Sequence, residues 1–144
     1  MLTSLIKSSL GRDIGVLFQL LPQAFNAQLS SVSDLTSAQL IFMMMLKVDG
    51  PMGRPQAQKD CRMLDLEPTD TLSFLQRKRY VALTVPEASI ALTSEGEQVL
   101  AKLWPIHETT EKKLLAGFSE AENAQLRALL RRLQENAEQI IRTV

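Results

Sequence analysis

A single cysteine among 144 residues leaves no possibility of an internal disulfide, so stability must come from a packed core, and a reducing cytoplasm is the compartment expected. There is also a single histidine, His107. No cluster of Cys, His, Asp and Glu at ligand spacing surrounds it, which argues against a metal site. Apolar runs are short. The longest stretch of interest, Ile41 to Leu46, is closed by Lys47, far below the length that spans a bilayer. The N-terminal segment carries Lys7 but no apolar run leading to a small-residue cleavage site, so no signal peptide is expected. Gly-rich phosphate loops, a nucleophile elbow and paired catalytic carboxylates are all missing. Neither an enzyme nor a cofactor is therefore expected. Net charge is absent too: Lys plus Arg number 16 and Asp plus Glu number 16. Any affinity for a polyanion must then come from local asymmetry.

What is present is a helical pattern with one short β interruption. At 144 residues and 45% hydrophobic content the chain suffices for one domain with a sizeable core. Ile14, Leu17, Phe18, Leu21 and Phe25 recur at helical spacing, with Pro22 inside the pattern expected to kink it. Ser30 to Ser33 is a polar break, after which Asp34 or Thr36 caps a helix over Ala38 to Val48. Asp49-Gly50-Pro51 ends it. Pro55 suits the first turn of a third helix, with Ala57, Cys61 and Leu64 on one face. Glu67-Pro68 opens a fourth, with Leu72 and Leu75 inward. Tyr80 to Val85 and Ser89 to Leu92 read as strands around a tight turn at Pro86-Glu87-Ala88. Thr93 or Ser94 caps a fifth helix whose buried stripe begins Val99, Leu100, Leu103, Ile106 and finishes Leu114, Leu115, with Pro105 bending it. Ser119-Glu120-Ala121-Glu122 is a capping box. It opens a sixth helix striped by Leu126, Leu129, Leu130, Leu133, Ala137, Ile140 and Ile141. Long terminal helices with more apolar face than a small unit can cover predict a two-fold homodimer; an intramolecular bundle is the alternative.

Three stretches carry a family resemblance: Leu35-Thr36-Ser37-Ala38-Gln39, Leu92-Thr93-Ser94-Glu95-Gly96, and Leu114-Leu115-Ala116-Gly117-Phe118-Ser119-Glu120 leading to Leu126-Arg127-Ala128-Leu129-Leu130-Arg131-Arg132-Leu133. From about Ile14 to Ile141 the chain resembles the MarR family of bacterial transcription regulators. The resemblance implies a mainly α fold with a small β-hairpin wing, a winged helix-turn-helix with long N- and C-terminal dimerisation helices. On that basis residues 1–144 form one domain, with the winged lobe over about 34–93 and the helical dimerisation region over about 5–30 and 94–144. It further implies a triangular homodimer whose two lobes enter successive major grooves of a pseudo-palindromic double-stranded operator. Many relatives release DNA on binding a lipophilic small molecule.

Several features depart from that pattern. The distance from Pro68 to Tyr80 is about one helical turn shorter than usual in the family. Arg79 replaces the customary glycine before the wing, where a left-handed backbone is wanted. Asp70 places a carboxylate in a region expected to face phosphates. The wing reads Val85-Pro86-Glu87-Ala88-Ser89, and from Tyr80 to Ala101 there is no lysine or arginine, while Glu87, Glu95 and Glu97 are present. A wing without cations is a poor clamp for phosphates. The helix-turn-helix is richer: Arg54, Lys59, Arg62, Arg77, Lys78 and Arg79 oppose Asp60, Asp65, Glu67 and Asp70. Thr69, Thr71, Ser73 and Gln76 are of the kind that reaches base edges or phosphates. A solvated helix surface would show the same composition.

The remaining residues of interest have plainer readings. Cys61 shares a face with Ala57 and Leu64 and reads as a small core residue, with oxidation sensing a minor option through Lys59 and Arg62. Met43, Met44 and Met45 are too closely spaced to share one helical face. A lipophilic effector pocket is expected around Phe18, Phe42, Met45 and Trp104. His107 reads as structural. Two functions remain open: a DNA-binding repressor of MarR type, or a MarR-like dimer with weak or no operator binding that acts through a protein or ligand. A non-regulatory helical interaction domain is a weaker third.

Overall fold

The computed structural model describes residues 1–84 and 88–144. The element order is α1 (Leu2–Lys7), α2 (Leu10–Leu29), α3 (Ser37–Asp49), α4 (Arg54–Met63), α5 (Pro68–Arg77), β1 (Val81–Thr84), β2 (Ser89–Leu92), α6 (Ser94–Leu114) and α7 (Glu120–Arg142). These form two compact units, residues 1–110 and 111–144. The mainly helical winged architecture expected from the sequence is present. The expected turn at Pro86 and Glu87 lies outside the described residues, while Ala88 has a left-handed backbone (φ 51°).

Local chemistry explains most helix ends. Thr36, rather than Asp34, caps α3. Its hydroxyl accepts from the Gln39 amide at 3.2 Å while Gln39 returns to the Thr36 amide at 2.9 Å, a reciprocal capping box. Gly50 ends α3 with φ 80°. Ser119 and Glu122 form the same reciprocal pair at α7, at 3.0 and 2.9 Å. Helices α2 and α6 run through Pro22 and Pro105 respectively, each losing one backbone donor without ending. The short α1 has no counterpart in the sequence reading; Leu2, Leu5 and Ile6 on it are exposed.

The core of the first unit centres on Phe42, Met43, Leu75, Leu103 and Cys61, all fully buried. Of the three methionines, Met43 is fully buried and Met44 and Met45 are half-buried. The wing is a two-stranded antiparallel hairpin pairing Val81 with Leu92 and Thr84 with Ser89. Met52 adds a bridge to it that the sequence does not announce. Its amide donates to Ile90 at 3.0 Å, and the Ile90 amide returns at 2.7 Å. The α3–α4 connection is thereby tied to β2 of the wing. Asn26 Oδ1 accepts from the Ser37 amide at 2.7 Å, tying α2 to the start of α3. His107 stacks between Phe25 and Trp104, with ring centroids 4.7 and 5.0 Å away, joining α2 to α6. In α6 the expected stripe holds at Leu103, with Val99, Leu100 and Ile106 packed against the core. Leu114 is exposed, and Thr110, not anticipated, is buried; its hydroxyl donates back to the Ile106 carbonyl at 2.8 Å, which satisfies it inside the helix.

Candidate nucleic-acid interface

Helix α5 follows α4 after a tight turn, and both helices end alike. After α4, Asp65 takes a left-handed backbone (φ 58°), with amides of Asp65 and Leu66 returning to Arg62 (3.0 Å) and Cys61 (2.8 Å). After α5, Arg79 does the same (φ 64°), with amides of Arg79 and Tyr80 returning to Gln76 and Leu75, both at 2.9 Å. Each is a Schellman closure in which glycine is the usual occupant.

On α5, Pro68, Thr71, Leu72 and Leu75 are buried, at the spacing of one helical face. Thr69, Asp70, Ser73, Gln76 and Arg77 are exposed. The structure therefore corrects one expected contact: Thr71 lies on the inward face beside Leu72 and is only 4% exposed, so it cannot meet a base edge. Thr69, Ser73 and Gln76 remain as an outward neutral-polar stripe. The charges divide along the helix. Glu67, whose carboxylate accepts from the Asp70 amide at 2.6 Å, and Asp70 stand at its start, and Arg77, Lys78 and Arg79 at its end. This matches the helix dipole and leaves the C-terminal end cationic.

Arg54, Lys59, Arg62, Arg77, Lys78 and Arg79 are all exposed. Arg54 lines a shallow dimple with Gln76 of α5 and Leu83 of β1, so the start of α4 and the end of α5 meet beside the wing. Among the acids, Asp60 is buried and accepts from Gln56 Nε2 at 2.8 Å, which removes it from the surface. Against that, Lys78 is ion-paired with Asp34, a contact the sequence reading missed because the partners lie 44 positions apart (78 − 34). The Lys78 side chain, hydrogen-bonded and attracted to it, holds the Asp34 carboxyl below its ordinary value, and Asp34 raises Lys78 in turn.

Thr93 joins the end of α5 to the start of α6. Its amide donates to the Tyr80 carbonyl at 3.0 Å and its hydroxyl donates to the Arg79 carbonyl. The same Oγ1 accepts from the Gly96 amide at 3.0 Å. Gly96 sits so close that a Cβ there would lie 2.3 Å from the Tyr80 carbonyl oxygen. The Thr-x-x-Gly spacing, legible in sequence as a cap, is thus a three-way clamp.

The expected effector residues are not assembled into one pocket. Phe18 lines a cleft of about 650 Å³ with Phe25, Ile41, Thr36, Leu64 and Leu66, between α2, α3 and the α4–α5 turn. Trp104 lines a separate groove of about 580 Å³ with Met44, Val48 and Leu100, beside the Lys47–Glu97 ion pair at 2.8 Å. Phe42 is fully buried in the core, because the inward face of α3 carries it. Met45 lines neither space. Cys61 is also fully buried, and burial, with Asp60 and Glu67 nearby, raises its thiol to about 11. No group of three or more potential metal ligands occurs among the described residues, and none of their helices is long and apolar enough to cross a membrane.

No family model and no curated protein matches the chain. Solved structures do. The reduced form of MarR from E. coli is 22% identical, with a TM-score of 0.72 over 87% of this chain and 92% of that one. A Mycobacterium tuberculosis MarR family protein in complex with salicylic acid is 19% identical, with a TM-score of 0.74 over 88% of this chain and 96% of that one. The same protein in complex with DNA is 18% identical, with a TM-score of 0.70 over 88% and 98%.

Proposed function

We propose that this chain, which has the winged-helix fold of the MarR transcription regulators, is a homodimeric DNA-binding regulator acting as a repressor in the cytoplasm. The observation that carries the reading is the exposed face of α5. Thr69, Ser73 and Gln76 form a neutral stripe of base-reading type, ended by Arg77 and Arg79. Short polar side chains on an outward helix face read base edges, while flanking cations fix register on phosphates. Arg54 and Gln76 converge beside the wing, which adds a cation where a duplex would lie. The M. tuberculosis relative was solved with DNA.

Regulation follows from the cleft around Phe18. It lies between α2 and the α4–α5 turn, is mainly apolar, and has room for a small lipophilic molecule. A ligand wedged there would bias the position of α5 relative to α2 and release DNA. The salicylic acid complex of the M. tuberculosis relative supports this effector chemistry.

The test is selection of genomic fragments by the purified protein near physiological salt, beside the Arg77→Ala, Lys78→Ala, Arg79→Ala triple variant. Recovery of a few pseudo-palindromic sites, lost in the variant with a shallower salt slope, supports the proposal. A folded protein that recovers nothing above background overturns it. That result would favour a second reading, a MarR-like dimer acting through a protein or ligand. The cation-free segment from Tyr80 to Ala101 and the ion-paired Lys78 favour that second reading.

A further inference from the structure

The turn that ends α5 carries an arginine in a conformation that suits glycine. Arg79 has φ 64°, in the left-handed region that crowds an L side chain against the backbone. Glycine would close the same turn without that crowding. Strain of this kind persists only where surrounding contacts hold it, and an observed outlier is grounds for asking what its side chain does. Two sets of contacts hold it: the closing amides of Arg79 and Tyr80, which return to Gln76 and Leu75, and Thr93, whose hydroxyl donates to the Arg79 carbonyl and accepts from Gly96 while its amide donates to Tyr80.

Position gives the side chain a use. A recognition helix lies in the major groove with its first turns on the base edges, and its C-terminal end is placed to meet the backbone. Glu67 and Asp70 stand at the first end, so phosphate contact falls to the second. There Lys78 is engaged by Asp34. Arg79 is exposed, and the Glu95 carboxyl is held below its ordinary value chiefly by its own backbone amide and by Ser94, with Arg79 the smallest contributor.

We propose that Thr93 is a positioning residue for DNA. Its hydroxyl, added to the closing amides of the turn, fixes the Arg79 carbonyl and with it the left-handed conformation that presents the Arg79 guanidinium to a backbone phosphate at the C-terminal end of α5. The inference rests on α5 being the recognition helix.

The test measures binding of full-length Thr93→Val, Thr93→Ser, Arg79→Ala and the Thr93→Val, Arg79→Ala double variant. The probe is a labelled duplex of the strongest genomic site recovered by the wild type, titrated across salt. Thr93→Val and Arg79→Ala each reduce the salt slope by about one unit, the signature of one lost phosphate contact. The double variant loses no more than either alone, and Thr93→Ser, which keeps the hydroxyl, retains the wild-type slope. A folded Thr93→Val protein with the wild-type slope overturns the inference and leaves the DNA-binding reading standing. A wild type that binds no duplex overturns both. If Thr93→Val does not fold, Arg79→Gly decides: it relieves the backbone and keeps the turn, so the slope falls by about one unit, and an unchanged slope overturns the inference.

Discussion

Cys61 shows how neighbours decide the chemistry of one residue. Lys59 and Arg62 flank it in sequence and would lower a thiol's pKa if all three shared the surface. In the structure the cations are exposed while Cys61 is fully buried. Desolvation dominates, and its thiol rises from 9.0 to about 11. The folded state therefore holds the proton more tightly than the unfolded state. The associated stability is complete below pH 9 and is lost as pH rises through about 11. Iodoacetamide at pH 8 is expected to label the native protein far more slowly than the denatured protein. Equal rates would show that the thiol is accessible. Gly96 is the complementary case, a residue whose missing Cβ lets the Tyr80 carbonyl approach the start of α6.

Among the elements, α3 and α7 start with the same reciprocal cap in different settings. Thr36 caps a helix whose inward face is buried through Leu40, Phe42, Met43 and Leu46; Ser119 caps one with no buried residue. Thr36→Ala is expected to cost about 1 kcal/mol, read as a lower urea midpoint with unchanged slope. Ser119→Ala costs about as much locally, but it frays α7 without moving the midpoint of the first unit. A shift as large as that of Thr36→Ala would show that the two units unfold together. Helix α5 was legible in sequence through its Glu67-Pro68 start and its Leu72, Leu75 face. Thr71 has the side chain of a base-reading residue, but it stands three positions after Pro68 and four before Leu75, which sets it on the buried face.

Across the whole molecule, the apolar surface left exposed is concentrated on particular helices. In the first unit, α2 exposes Leu10, Ile14, Leu17 and Phe18, with Val16 and Leu20 on another side. In the second unit, α7 exposes Leu129, Leu130, Leu133, Ile140 and Ile141. A helix apolar over so much of its circumference normally has a partner, and the proposed homodimer supplies one. The wild type is expected to sediment as the proposed dimer in analytical ultracentrifugation, and Leu17→Glu and Leu130→Glu each as a monomer. Each also weakens binding to a two-half-site duplex by at least about 100-fold, since the second lobe is no longer tethered. A wild type that sediments as a monomer would contradict this.

Periodicity and caps sufficed to place six of the helices and both strands, because these follow from contacts within a few residues of each other. Alternation and 3.6-residue spacing, Gly50 after α3, Pro68 opening α5 and the Ser119 box are all local facts. The same locality made the cationic end of α5 and the bare wing readable without a fold. Only tertiary packing decided the rest. It paired Lys78 with Asp34, turned Asp60 and Thr71 inward, joined Met52 to Ile90, and stacked His107 between Phe25 and Trp104. It also divided Phe18, Phe42 and Trp104 among the core and two separate spaces and left Met45 lining neither space. These contacts join positions distant in the chain, and the burial that selects among them is a property of the assembled core rather than of any window of sequence.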